Sequence, residues 1–248
     1  MIATERTRLL VDAGLSRKDT FERLTALGVD PDSLTAILIT HEHADHVAGL
    51  PVLAKRRETK TGAGIQLPIY ISHLTAPAVP WADCEPALEQ FQAGASFTIG
   101  DVDVTSFSIP HDAADPVGYS FRAEGIKISI ATDLGYLPDS VRIHLRGSDL
   151  LLLESNHDLE MLKVGPYPWA IKQRVMSRMG HLSNDAASAF IREDVDTRTS
   201  TLILGHLSES NNHPALAEQA AMQALNGRHL FTRLVIADPH AGTETFTY

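Results

Sequence analysis

The sequence predicts an α/β protein: two mixed β-sheets with helices on their outer faces, in a single domain covering residues 1–248. Three observations carry this. Short apolar runs rich in β-branched residues recur along the whole chain. Two pairs of them are joined by tight turns, at Gly100 and at Glu124-Gly125, and read as hairpins. In the second half such runs alternate with helix-like stretches, and alternating elements pack as layers.

In order, residues 7–12 (TRLLVD) form a strand. Residues 16–27 form an amphipathic helix, with Ser16 as N-cap, Asp19 in the capping-box position and Gly28 as the stop. Residues 36–40 (AILIT) are a short buried strand. The stretch DHVAGLPVLAKRRE, residues 45–58, has helical periodicity, and residues 67–72 (LPIYIS) return to strand. Residues 96–108 make the first hairpin, and residues 117–121 with 126–131 the second. DLLLLE (149–154) is a buried strand, followed by helices near 168–179 and 183–193. STLILGH (200–206) is a strand and residues 214–225 a helix. RLVIAD (233–238) and TETFTY (243–248) are expected to close the chain as strands.

The chain has 248 residues, enough for one large core. Hydrophobic residues make up 44% and charged residues 21%, ordinary values for a globular protein. No apolar run has the length of a membrane span and none resembles a secretory signal, so a cytoplasmic location is expected. The single cysteine, Cys84, excludes an internal disulfide and a cysteine-based zinc site. A net charge of −10 argues against DNA binding by the whole surface, though not against a local basic groove.

The chemistry is concentrated in THEHADHVAGL, residues 40–50, where His41, His43, Asp45 and His46 follow a buried strand. In extended backbone His41 and His43 face the same way, since side chains alternate with period two. Asp45 and His46 come as the chain turns into a helix and suit a second ion. Imidazole with carboxylate favours zinc, manganese or iron over calcium. A solvated histidine-rich turn is the bland alternative. Further candidates stand at later strand ends: His111 after SFSIP, Asp133 after ISIAT and His206 after TLILG. Any one would be unremarkable, but their recurrence at equivalent places makes a set, and Asp133 could bridge two ions.

These motifs resemble those of the metallo-β-lactamase-fold hydrolases. THEHADH matches that superfamily's signature, and Asp12 in LLVDAG its first, structural aspartate. The resemblance spans essentially the whole chain. It implies an αββα sandwich and a binuclear site of Zn2+ or Mn2+, with iron as a further option. One ion would be held by His41, His43, His111 and Asp133, the other by Asp45, His46, His206 and Asp133.

Members of the superfamily cleave lactams, thioesters, lactones and phosphodiesters, so the fold does not choose among them. MGHLSNDAASAF (179–190) resembles the ribonuclease Z motif whose non-ligand histidine assists phosphodiester cleavage. LLLESNHD (151–158) resembles its carboxylate-bearing strand end. The narrowest resemblance is to the WalJ/YycJ group, whose ESNHD, GPYPWAIKQRV, GHLSNDAA and LGHLSESNNHPALA elements occur here in order. That group implies 5′→3′ exonuclease activity on DNA, with RNA the less favoured polymer. The family usually has another strand and a Ser/Gly-rich turn before the segment aligned with Thr7; little sequence precedes Thr7 here, so either a misassigned start or a shortened first sheet is expected.

The residues add some support. No acidic residue lies between Glu160 and Asp185, whereas Lys163, Lys172, Arg174 and Arg178 do. We read Lys172, Arg174 and Arg178 as phosphate contacts, against the plain alternative of ordinary helix-surface cations. Tyr167 and Trp169 could stack on a base, but packing of the helix start, with Pro168 in its first turn, is preferred.

The expected chemistry is attack of a metal-bridged hydroxide on phosphorus. Asp45 would ligate and orient, and His181 would protonate the leaving oxygen. Asp12 and His157 are expected behind the site, and Asn211 and Asn212 as caps of the following helix. A small-molecule hydrolase acting on a cyclic phosphodiester, lactone or thioester is the rival enzyme class. A metal-bearing scaffold is the non-enzyme rival, and the complete ligand set speaks against it. No membrane partner is expected, and a homodimer is compatible with the sequence.

Overall fold

The computed structural model describes residues 1–58, 64–225 and 231–248. The chain forms two compact units, residues 1–106 with 113–117 and residues 107–112 with 118–248.

The first unit contains β1 (Ile2–Ala3), β2 (Arg8–Val11), α1 (Arg17–Ala26), β3 (Ala36–Leu38), α2 (Ala44–Val47) and α3 (Leu50–Leu53). After these come β4 (Arg57–Glu58), β5 (Gly64–Ile65), β6 (Pro68–Ser72), β7 (Ala87–Phe91), β8 (Ser96–Ile99) and β9 (Val102–Ser108), the last running on into the second unit. Its main sheet has the order β1-β2-β3-β6-β7. Only β1 pairs antiparallel; the other neighbours are parallel. Parallel strands are covered on both faces, and Ala36 to Ile39 are accordingly buried without exception. They join Leu50, Leu53, Ile69 and Ile71 in the unit's core. α1 starts as expected: the Ser16 hydroxyl accepts from the Asp19 N–H at 3.2 Å and bonds its carboxylate at 2.6 Å.

Two expectations need correction here. The helix expected over residues 45–58 is instead two short turns, α2 and α3, followed by β4. The His46 carbonyl is taken by the Ala13 N–H at 2.7 Å, and Pro51 brings no N–H to continue a helical ladder. β7 was not anticipated, since ALEQF has no β-branched residue and its Glu89 and Gln90 are exposed.

The second unit contains β10 (Val117–Ala123), β11 (Ile126–Ala131), α4 (Asp139–Leu145), β12 (Leu150–Glu154), α5 (Leu159–Val164) and α6 (Trp169–Val175). α7 (Asn184–Asp194), β13 (Thr201–Gly205), α8 (Pro214–Leu225) and β14 (Arg233–Ile236) complete it. The strands lie in the order β14-β13-β12-β11-β10. β10 and β11 form the expected antiparallel hairpin, and β11 to β14 are parallel. Ile130, Leu152 and Ile203 stand side by side across three strands. Leu151, Leu153, Leu202 and Leu204 join Phe190, Ala217 and Ala221 from α7 and α8 in the core. Burying each such leucine contributes about 1.5–3 kcal/mol.

The expected final strand at 243–248 does not form. That tail is fixed by side chains instead: the Tyr248 hydroxyl donates to Thr201 Oγ1 at 2.8 Å, and Arg233 pairs with Glu244 and lies over the Phe246 ring. α4 and α5 were not anticipated; each spans less than two turns and shows no periodicity in sequence. α6 stops at Val175, earlier than expected, because the Val175 carbonyl turns to accept from the His181 N–H at 2.9 Å.

Candidate metal centre

Three strand ends share a backbone device. Asp12 after β2, Asp133 beyond β11 and His206 after β13 take positive φ values of 58°, 61° and 58°. This left-handed region is costly for residues other than glycine. Such outliers persist where surrounding structure over-determines them, commonly at functional sites.

In the first unit Asp12 reaches across to the signature motif. Its Oδ1 accepts from the Thr40 N–H at 2.8 Å, and its Oδ2 accepts from the Thr40 hydroxyl at 2.9 Å and from His46 Nδ1 at 2.8 Å. A carboxylate on Nδ1 fixes the tautomer that leaves Nε2 with its lone pair, as metal-ligating histidines require. The His41 ring lies 4.6 Å from that of His43 and 4.2 Å from that of His46, centroid to centroid. The structure therefore gathers all three imidazoles. Asp45, at the start of α2, is two-thirds exposed, with Oδ2 3.4 Å from His46 Nε2. Glu42, between the two leading histidines, accepts from the Ala114 N–H at 2.8 Å and steadies a loop.

In the second unit the same logic is built around Glu154, at the end of β12 and without solvent exposure. Its Oε1 accepts from both His181 Nδ1 and His206 Nδ1, each at 2.8 Å. Its Oε2 accepts from the Leu134 N–H at 2.9 Å and the Leu182 N–H at 3.0 Å. All the lone-pair directions of a buried carboxylate are thereby used, the condition for burying a charge at tolerable cost. Burial pushes the Glu154 pKa up, but the hydrogen bonds from His181 and His206 outweigh it and hold the group below the usual carboxylate range. Burial likewise works against charge on His181, yet the hydrogen bond and charge of Glu154 raise its pKa above the ordinary histidine value.

Asp133 is the convergence point. Its Oδ1 lies 3.3 Å from His206 Nε2, 3.8 Å from His181 Nδ1 and 3.9 Å from His111 Nε2. His111 Nδ1 lies 3.1 Å from the Gly180 carbonyl, which can only accept, so Nε2 again keeps its lone pair. Asp133, Glu154, His181 and His206 bring ligand atoms within 4.8 Å of one another. Nitrogen and carboxylate donors with their Nδ1 atoms held from behind fit a divalent transition metal. The fitting residues are His46 in the first unit and His111, Asp133 and His206 in the second.

The remaining candidates fall as follows. His157 is buried in the second unit; its carbonyl accepts from the Asn184 N–H at 2.9 Å, and burial lowers its pKa. Its Nδ1 has no partner among the described residues. Asn212 caps no helix; its amide donates to the Ser155 carbonyl and to Asn184 Oδ1, both at 2.9 Å. Asn211 ties the Asp158 N–H to its carbonyl at 2.9 Å. Lys172 is buried and donates to the Lys163 carbonyl at 2.7 Å, which joins α6 to α5 rather than facing solvent. Arg174 pairs with Asp112, and Arg178 lies 4.0 Å above the Tyr136 ring. Trp169 does not pack the helix start, being 62% exposed.

Glu154 lies in the LLLESNHD segment matched to a carboxylate-bearing strand end, but the sequence assigned it no role. A signal was present, because an acidic residue closing an apolar strand must find buried partners. Its partners lie 27 and 52 positions away, which no local pattern reveals.

The β-lactamase superfamily domain matches residues 7–207. Exodeoxyribonuclease YycJ of Bacillus anthracis is 37% identical over 227 residues, covering 90% of this chain and 83% of the relative. The chain belongs to this group of the β-lactamase superfamily. Exodeoxyribonuclease WalJ of Streptococcus pneumoniae serotype 2 is likewise 37% identical over 230 residues, covering 90% of this chain and 82% of the relative. Among solved structures, the metallo-β-lactamase fold protein YhfI of Bacillus subtilis aligns with a TM-score of 0.69 at 19% identity, covering 95% of this chain and 86% of that one. That likeness shows the fold: two mixed sheets with helices, as the resemblance implied. No described helix is long and apolar enough to cross a membrane.

Proposed function

We propose that the chain is a binuclear metal-dependent phosphodiesterase, and specifically a 5′→3′ exonuclease acting on DNA. One observation carries the phosphodiesterase reading. Glu154 holds His181 by Nδ1 at 2.8 Å and raises its pKa, beside the candidate ligands Asp133 and His206. In the imidazolium form that Glu154 favours, Nε2 carries the proton that can be given up, suited to protonating the oxygen that leaves phosphorus. The DNA specificity rests on the relatives, both exodeoxyribonucleases by name.

Within this reading residues 1–248 act as one catalytic domain, on the strength of the family resemblance. The ligands are His41, His43, Asp45, His46, His111, Asp133 and His206, for two ions of Zn2+ or Mn2+, with iron as the alternative. Such ions, when bound, supply Lewis acidity and an activated water. Asp45 orients the incoming water. Asp12 and Glu154 fix the tautomers of His46 and His206. Arg178 offers positive charge to the substrate backbone, and Arg174 would do so only by exchanging its Asp112 partner for a phosphate. A DNA substrate agrees with a cytoplasmic enzyme.

The test is a DNA duplex labelled at its 5′ or its 3′ end, digested under zinc and then manganese. Release of mononucleotides from the 5′ end is expected. Release from the 3′ end would overturn the polarity. No cleavage, with rapid hydrolysis of bis(p-nitrophenyl) phosphate, would favour a small diester instead.

A further inference from the structure

α6 is clamped at both ends to elements of the candidate centre. At its leading end, Gly165 packs on the loop after His206: a Cβ there would meet Asn211 Oδ1 at 2.5 Å. At its trailing end, Gly180 lies on the helix, where a Cβ would meet the Arg174 and Val175 carbonyls at 2.2 Å. Only glycine permits either approach. The next residue, His181, bonds the Val175 carbonyl through its own N–H at 2.9 Å. Lys172 spends its amine on fastening α6 to α5. A seven-residue helix is thus held rigidly between the His206 loop and His181.

What this rigid helix shows to solvent is unusual for an acidic protein. Trp169 stands 62% exposed at its first position, and its indole N–H has no partner among the described residues. An indole is one of the largest apolar surfaces a protein can bury, and here prolines on either side of Tyr167 lead into α6 instead of a cover. Beyond the helix, Arg178 has no carboxylate partner among the described residues; its guanidinium lies 4.0 Å over Tyr136, three positions after Asp133. No acidic residue occurs from 161 to 184 in a chain of net charge −10. An exposed aromatic and a cation without a carboxylate partner, carried on one segment, are elements of a surface for single-stranded nucleic acid, where bases stack and phosphates are neutralised.

Resting on the nuclease reading, we propose that Trp169 is a stacking platform for an unpaired base at the DNA end, with Arg178, backed by Tyr136, holding a phosphate of the same strand. A π-face reads no sequence, so the platform tolerates any base. It does require a base free of its partner strand. The substrate class is therefore DNA with a single-stranded or frayed end.

The experiment uses the full, zinc-loaded protein and a phosphorothioate (dT)12, whose linkages resist hydrolysis. Trp81 and Trp169 are the two tryptophans, so Trp81→Phe leaves Trp169 as the sole indole reporter. Oligonucleotide is expected to quench its emission. By anisotropy, Trp169→Leu should weaken binding about 5- to 150-fold, the range expected for one stacked base, and Trp169→Phe should restore most of it. Wild-type protein should bind a duplex with an overhang more tightly than a blunt one, and Trp169→Leu should lose that preference. DNA bound and cut normally by Trp169→Leu would overturn the platform while leaving the nuclease reading intact. Wild-type protein that neither binds nor cuts any DNA would bring down both. If Trp169→Leu instead changes only the oligomeric state, the patch is a protein interface and the proposal fails.

Discussion

Two carboxylates stand behind the candidate metal ligands, one in each unit, and they work at different levels. Asp12 holds one imidazole, His46, and one threonine. Glu154 holds two imidazoles with one oxygen and two backbone N–H groups with the other. Asp12 keeps some exposure, at 18% of its side chain, whereas Glu154 has none. The difference is between fixing one ligand and coupling two functions. Asp12 sets a tautomer. Glu154 sets the tautomer of a candidate ligand, His206, and the proton affinity of a candidate acid, His181, through a single atom.

The sharpest test is Glu154→Gln. The amide keeps the shape but turns one acceptor oxygen into a donor. Whichever way it sits, two buried N–H groups lose their acceptor, at about 1–3 kcal/mol each. The expected result is a melting temperature lower by roughly 5–20 °C. Turnover on labelled DNA should fall by about 10³-fold or more, since a ligand and an acid are both misplaced. A variant with unchanged melting and turnover would show that Glu154 is ordinary core.

His181→Ala separates the two functions that Glu154 joins. A general acid is worth about 10²- to 10⁴-fold in rate. The rate should fall by that amount while metal content, read by elemental analysis, stays at the wild-type level. Metal loss instead would make His181 a ligand and erase the asymmetry with Asp12.

Asp12→Asn should be milder. Asparagine keeps an oxygen for the Thr40 N–H but puts an NH2 group toward His46 Nδ1. His46 then carries its proton on Nε2, the atom needed for metal. Affinity should fall about 10- to 100-fold, and excess metal should restore much of the activity, which it should not do for Glu154→Gln. Equal rescue of both would collapse the distinction.

The two carboxylates also differ in how far the sequence revealed them. His41, His43, Asp45 and His46 lie in one short motif directly after an apolar strand, so spacing alone exposes them, whereas Asp12 is matched only through the family resemblance. His111, Asp133 and His206 were found by their recurrence at strand ends. Glu154 sits at such an end too, but its role exists only through residues brought to it by folding. The fold was legible for the same reason: buried strands such as β12 and β13 read as continuous apolar runs. β7 was invisible because edge strands need no apolar pattern, and the tail at 243–248 misled because its alternation serves side-chain anchoring rather than a ladder. Lys172 misled in a related way, since charge counting cannot tell an exposed amine from one buried against a carbonyl.

Lys127 completes the comparison as a buried charge with fewer compensations than Glu154. Its amine donates to the Arg146 carbonyl at 2.6 Å. Burial, reinforced by Arg122 and Arg198 and only partly offset by Asp149, lowers its pKa from 10.5 to about 8. The folded form therefore releases its proton before the unfolded form does. Below about pH 8 both forms are charged and the folded one bears the full penalty. Between about 8 and 10.5 the unfolded chain binds more protons, so this group's contribution to stability rises with pH. The rise is at most about 3 kcal/mol and is absent at neutral pH. Lys127→Met removes both the penalty and one hydrogen bond, so stability at pH 7 should change by less than about 1.5 kcal/mol. The alkaline slope, measured by urea denaturation at pH 8 and pH 10, should flatten relative to wild type. An unchanged slope would mean that the amine is already well solvated in the folded state. Glu154 would then be the one buried charge of the two whose partners matter.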